Sequence, residues 1–185
     1  MAKVITFSRE FPKYHPKKGQ PTLFVEKIWN SLLNQNIDTI PDYIYEVGRK
    51  LGYQYADDAL YKTDNVKPKH HTIRMGKRWK VGDKFSPRIW SGKPYQSKQI
   101  AIADDIEIKK VWDIVIEKHI HQGIGMLTFS INNGFYCHDG HITDEFTKLA
   151  TNDGLTELDL AYWFTLKHAE RGVGQIICWN ENINY

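Results

Sequence analysis

The chain has 185 residues, of which 41% are apolar and 25% charged, with a formal net charge of +3. These values exclude a disordered or fibrous chain and leave enough residues to bury a core unaided. No apolar run reaches the roughly 18 residues of a membrane-crossing helix, and Met1–Phe7 lacks the apolar core of a signal peptide. The two cysteines, Cys137 and Cys178, form no CxxC pair, so the expectation is a single cytoplasmic domain over 1–185 with free thiols.

Lys3–Ser8 alternates apolar and polar residues and predicts a strand. Phe11–Pro21 is rich in turn residues and predicts a loop. Thr22 stands where it could cap a helix running to about Asn34, with Phe24, Ile28, Trp29 and Leu32 on its apolar stripe. A second helix is expected from Thr39–Asp42 through Leu51, with Asp42 and Glu46 in its first turns. The polar stretch Gln54–Lys69 reads as a loop. Thr72–Arg74 predicts a strand, Lys80-Val81-Gly82-Asp83 a turn, and Lys84–Trp90 the next strand. Gln99–Ile108 and Lys110–Glu117 follow as strands, with His119–Gly125 as loop. Met126–Ile131 and Phe135–Cys137 form a hairpin about Asn132-Asn133-Gly134. Thr143 caps a helix to about Ala150, which Asp153-Gly154 ends. Another helix is expected over Leu155–Lys167 and a closing strand over Gln175–Trp179, after which Asn180–Tyr185 trails away. Short strands interspersed with helices make the fold class α+β.

Charge is unevenly spread. Between Lys62 and Lys98 there are 11 lysines and arginines against two acids, a net of +9 that leaves −6 for the rest of the chain. Positive potential concentrated in this way attracts phosphate-bearing partners. Trp79, Phe85, Trp90 and Tyr95 lie among these charges, and rings on a cationic surface can stack on unpaired bases.

Inside this run, strand alternation puts Thr72 and Arg74 on one face and Ile73 on the other, with Lys69 just before them. The pattern Lys69-x-x-Thr72-x-Arg74, followed by the Gly82-Asp83 turn and a second strand, resembles the ASCH domain family of the PUA-like superfamily. Val4–Phe7 is similar to that family's opening strand, Asn152–Leu155 with Trp163-Phe164 to its late helical segment, and Gly174–Trp179 to its closing strand. Lys67 stands where the family has a glycine. The resemblance covers residues 1–8 and 62–180. It implies a small, partly open β-barrel surrounded by helices, with an N-terminal helical insertion at about 22–52.

The resemblance also implies chemistry. Family members that deacetylate N(4)-acetylcytidine use a lysine and a threonine at the positions of Lys69 and Thr72, with a glutamate in the late helical segment. Thr151 occupies the glutamate's place here, and Asp153, two residues on, is the carboxylate expected to stand in for it. A partly desolvated lysine can act as a base near neutral pH, and a carboxylate can orient it or protonate a leaving amine. Arg74, Arg78, Lys80, Arg88 and Lys93 are candidate phosphate contacts, and Trp79, Trp90 and Tyr95 candidate stacking residues. The first functional expectation is a domain that binds RNA or a modified nucleoside. The second is an amidohydrolase acting on N(4)-acetylcytidine-type nucleosides through Lys69, Thr72 and Asp153. A nuclease using the same cleft, and a protein-interaction module built on the helical insertion, are further readings. No cofactor is expected. His119-Ile120-His121 and Cys137-His138-Asp139-Gly140-His141 contain ligand types without a diagnostic zinc spacing, so no metal is expected either. The third glycine of a dinucleotide-binding loop is missing after Gly123-Ile124-Gly125.

Overall fold

A computed structural model describes residues 2–121, 124–132, 134–138, 141–164 and 171–185. The fold is α+β, with two sheets and five helices among the described residues. In the larger, antiparallel sheet, β2 (His71–Met75) lies at one edge. Next come β10 (Arg171–Cys178), β6 (Lys110–His121), β7 (Ile124–Ile131), β8 (Gly134–His138) and β9 (His141–Ile142). In the smaller sheet β1 (Lys3–Thr6) runs parallel to β3 (Lys84–Trp90). Two short strands, β4 (Gln99–Ala101) and β5 (Ile106–Glu107), pair antiparallel with β3. Strand pairing among the described residues does not join the two sheets into a closed barrel.

Ile176, Ile177 and Cys178 are fully buried. This is the continuous apolar run of a strand covered on both faces, and β10 accordingly lies between β2 and β6. Its register sets Ile177 opposite Thr72 and Gln175 opposite Arg74. Gly174 lets the two strands meet, because a Cβ there would lie 2.6 Å from the Arg74 carbonyl oxygen.

The helices are α1 (Phe24–Leu33), α2 (Ile40–Leu51), α3 (Ala56–Asp64), α4 (Asp144–Asn152) and α5 (Glu157–Trp163). All four residues of the expected apolar stripe on α1 are buried. The residue at its start is Leu23, in the left-handed region at φ 57°, rather than Thr22. The Thr22 hydroxyl instead donates to the Ser8 carbonyl (2.7 Å) while accepting from the Phe24 N–H (3.3 Å), tying the helix entry to β1.

The expected loop at Gln54–Lys69 contains α3. Only Ala59 and Thr63 are buried there, so the apolar period is too faint to see, and Asp57-Asp58 are first-turn acids rather than loop residues. The Asp58 carboxylate accepts from the Tyr55 N–H at 3.2 Å. The expected loop at His119–Gly125 is also mostly strand, with His121 paired to Ile124. Helix α5 is shorter than Leu155–Lys167; it starts after Thr156, whose side chain accepts from the Asp159 N–H, and residues 165–170 lie outside those described.

Helix α1 is bonded to both sheets. Trp29 Nε1 donates to the Ile102 carbonyl just after β4 (2.7 Å), and Trp179 Nε1, just after β10, donates to the Ser31 hydroxyl (3.2 Å). Ile28 and Trp29 are fully buried in the hydrophobic core. The segment read as an insertion is therefore structural.

Candidate functional site

The residues preceding β2 are clamped from two sides. The Lys69 N–H donates to the Lys27 carbonyl of α1 (2.9 Å), and the His70 N–H to the Asn152 carbonyl of α4 (2.8 Å). Helix α4 begins as the sequence indicates, with the Thr143 hydroxyl accepting from the Phe146 N–H. It ends at Asp153, and Gly154 follows at φ 74°. A side chain at Gly154 would be strained by that φ, and its Cβ would lie 3.2 Å from both Lys27 Cδ and Lys69 Cβ.

These constraints place the Lys69 ammonium at the carboxyl end of α4, where a cation is favoured. Lys69 Nζ donates to the Asp153 carbonyl (2.5 Å) and to Asp153 Oδ1 (2.8 Å), and lies 4.4 Å from the Phe24 ring centre. Both side chains of this ion pair are buried. Burial pushes the Lys69 pKa down from 10.5 to about 8, against the opposing pull of Asp153. Burial would raise the Asp153 carboxyl, but the Lys69 charge and His71 outweigh it and hold it below the ordinary carboxylate range.

His71 and Tyr185 complete the buried group. Asn152 Nδ2 donates to the Tyr185 hydroxyl (3.0 Å), which lies 2.6 Å from His71 Nε2. The single proton of that contact comes from the hydroxyl or from the ring, according to the His71 tautomer. His71 Nδ1 lies 3.3 Å from Asp153 Oδ1 without the geometry of a hydrogen bond. Burial depresses the His71 pKa, which favours the neutral ring beside the carboxylate. The residues expected to trail away at Asn180–Tyr185 are thus tied in, and Tyr185 also packs edge-on against Trp112.

Lys69, Thr72, Arg74 and Asp153 line one cleft of about 330 Å³. Its aromatic lining comes from Phe7, Phe24, Trp90, Tyr95, Trp163 and Phe164. The Arg74 guanidinium donates to the Thr6 carbonyl (2.5 Å) and lies over the Phe7 ring, while its buried Nε has no partner among the described residues. With Lys69 and Arg74 set against Asp153, the cleft is net positive. Trp90 and Tyr95 stand at its lip with ring centres 5.3 Å apart. Tyr95 is 89% exposed and has φ 64°, an uncommon conformation for a bulky residue.

The remaining expected nucleic-acid contacts are not gathered here. Trp79 is a correction: it is buried, packed edge-on against Phe85, and cannot stack on a base from that position. The Arg78 side chain lies over the Trp79 ring, Arg88 Nε donates to the Ser86 hydroxyl, and Lys80 is exposed; none of the three lines the cleft. Lys93 lies in the exposed segment after Trp90, in a neighbouring groove. Sequence reading put Phe24 on a helix stripe and Trp163 in the late helical segment, but gave no site role to these two or to His71 and Tyr185. Their shared signal is only apolar or aromatic character, and their convergence is tertiary.

Cys178 is free and buried, and burial pushes its thiol up to about 11. No group of three or more His, Cys, Asp or Glu side chains among the described residues is placed to hold a metal ion. His119 and His121 lie in β6, and residues 139–140 lie outside those described. No helix among the described residues is long and apolar enough to cross a membrane. Comparison with protein-family models, curated proteins and solved structures gave no match.

Proposed function

We propose that this chain is an ASCH-type, PUA-like domain whose cleft receives a nucleobase, as a modified nucleoside or as an unpaired base of RNA. The observation that carries this reading is the composition of the cleft: a buried Lys69–Asp153 pair with Thr72 and Arg74, walled by flat aromatic side chains. A nucleobase presents two π-faces and a hydrogen-bonding edge, which suits rings on the walls and polar groups between them. In this reading the two sheets correspond to an opened barrel.

One observation favours the hydrolytic reading. Lys69, Thr72 and Asp153, linked in the sequence only by a resemblance, line the same cleft, and burial lowers the Lys69 pKa to about 8, so the neutral amine is populated near that pH. In that reaction neutral Lys69 takes a proton from an attacking water as its oxygen bonds to the amide carbon of an N(4)-acylcytidine. The resulting ammonium returns the proton to the departing exocyclic amine, giving cytidine and the free acid. Asp153 orients the lysine, and the Thr72 hydroxyl is available to position the water or the acyl oxygen.

The test is an HPLC time course with N(4)-acetylcytidine, run beside Lys69→Met and Thr72→Val and accompanied by tryptophan-fluorescence titration. Cytidine from the wild type but from neither variant supports hydrolysis. Saturable quenching without cytidine supports binding alone. No quenching and no product with a folded protein sink both.

A further inference from the structure

A second, larger groove of about 660 Å³ adjoins the cleft. The two share Phe7, Ser8, Trp90 and Pro94 in their linings, so Trp90 stands between cleft and groove. Its charged lining is Arg9, Lys13 and Lys93 against the single acid Glu10. All three cations are exposed. Lys3, Lys17, Lys77 and Lys109, elsewhere on the surface, sit within ion-pair distance of carboxylates. Among the described residues Arg9, Lys13 and Lys93 do not, so their charge is available to a partner.

The wall that carries two of these cations is held in place. The Ser8 hydroxyl donates to the Glu10 carbonyl (2.6 Å), the Thr22 N–H donates to the Arg9 carbonyl (2.9 Å), and Phe11 is buried with its N–H bonded to the Gln20 carbonyl (2.9 Å). A fixed rim with unpaired cations beside a base-sized aromatic cleft differs from a lone patch of lysines. A free nucleoside fills the cleft and leaves the groove without work; a polymer would use both.

We infer that the groove is a track for the phosphodiester backbone of single-stranded nucleic acid, with Arg9, Lys13 and Lys93 contacting phosphates that flank the base held in the cleft. This rests on the reading of the cleft as a nucleobase site. The substrate class is therefore a single strand rather than a free nucleoside. Phosphates are common to RNA and DNA, so the track itself does not select between them.

The experiment measures fluorescence anisotropy of labelled single-stranded RNA and DNA pentamers of the same sequence at several salt concentrations. Wild type is compared with an Arg9→Gln/Lys13→Gln/Lys93→Gln variant and with Trp90→Ala, all checked for an unchanged circular dichroism spectrum. Each phosphate contact on a single strand contributes about 0.7 to the slope of log affinity against log salt, so the triple variant should lower the slope by about 2, equally for RNA and DNA. Its affinity for a mononucleoside should be unchanged. An unchanged slope in the triple variant, with Trp90→Ala weakening both ligands, overturns the track and leaves the base-binding cleft standing. A wild type that binds the nucleoside but neither pentamer also overturns the track. A slope that falls as expected while Trp90→Ala changes nothing keeps the track and removes the base from the cleft.

Discussion

Lys69 is the residue on which the site depends. It is a buried cation with a buried carboxylate partner, and burying either charge alone is unfavourable. Lys69→Ala is expected to cost about 3–5 kcal/mol, because it leaves Asp153 buried and uncompensated. Lys69→Ala/Asp153→Ala should cost less than the sum of the two single changes, a coupling that urea unfolding of the four proteins measures directly.

The pH dependence has a definite sign. Folding lowers the Lys69 pKa from 10.5 to about 8, so between those values the unfolded chain binds a proton that the folded chain has shed. The Lys69 contribution to stability therefore rises as pH climbs through that window. Asp153, whose pKa is held down, stabilises the fold above the ordinary carboxylate value of 3.8 and loses that contribution as pH falls through its folded-state value. If neutral Lys69 is the base, turnover should rise about tenfold per pH unit and level off near the lysine's pKa. A pH–rate profile that is flat from 6 to 9 would remove Lys69 from that role. Tyr185→Phe removes the hydroxyl partner of His71 Nε2, and long-range proton–nitrogen NMR should show the ring nitrogen resonances shifted in the variant; an unchanged spectrum would mean that Tyr185 does not hold the ring.

At the scale of elements, the site depends on how α4 ends and on how closely β2 and β10 approach. Gly154 ends the helix with a left-handed residue packed against Lys27 and Lys69. Gly154→Ala carries about 1–2 kcal/mol for that backbone conformation alone, and the added methyl pushes on Lys69. Thermal unfolding should show a lower Tm, and the Lys69 side-chain amine resonance should move. An unchanged spectrum would mean that the lysine does not rest on this turn. Gly174 has the corresponding role between strands, since its missing side chain admits the carbonyl of Arg74. The strand at Thr72–Arg74 was legible from a period of two, but its start at His71 and the burial of His71, Thr72 and Ile73 alike were not. Helix α3 was not, because two buried residues in nine make no visible stripe.

At the scale of the molecule, α1 joins the two sheets through Trp29 and Ser31 and also supplies Phe24 and the Lys27 carbonyl to the site. Trp29→Ala should therefore cost about 3–5 kcal/mol, as for other fully buried tryptophans, and, with a nucleobase in the cleft as proposed, should weaken that binding too. Chemical unfolding and ligand titration of the variant measure the two effects. A variant of near-wild-type stability would show that this helix is an accessory rather than a strut. The basic run, counted as +9 in one window, is dispersed by the fold: Lys69 and Arg74 enter the cleft, Lys77 pairs with Asp113, and Lys80 stays in solvent.

The sequence alone determined the α+β class, most strand positions, the apolar stripe of α1 and the Thr143 cap, because these follow from local periodicity and local hydrogen bonding. A family resemblance, rather than any physical pattern, pointed to Lys69, Thr72 and Asp153, and strand alternation put Arg74 on the face of Thr72. Only the tertiary structure decided that these four share a cleft, that Trp79 belongs to the core, and that Tyr185 reaches back to His71. Those outcomes depend on contacts between residues far apart in the chain, and a burial or a hydrogen bond of that kind leaves no periodic trace in the residues that make it.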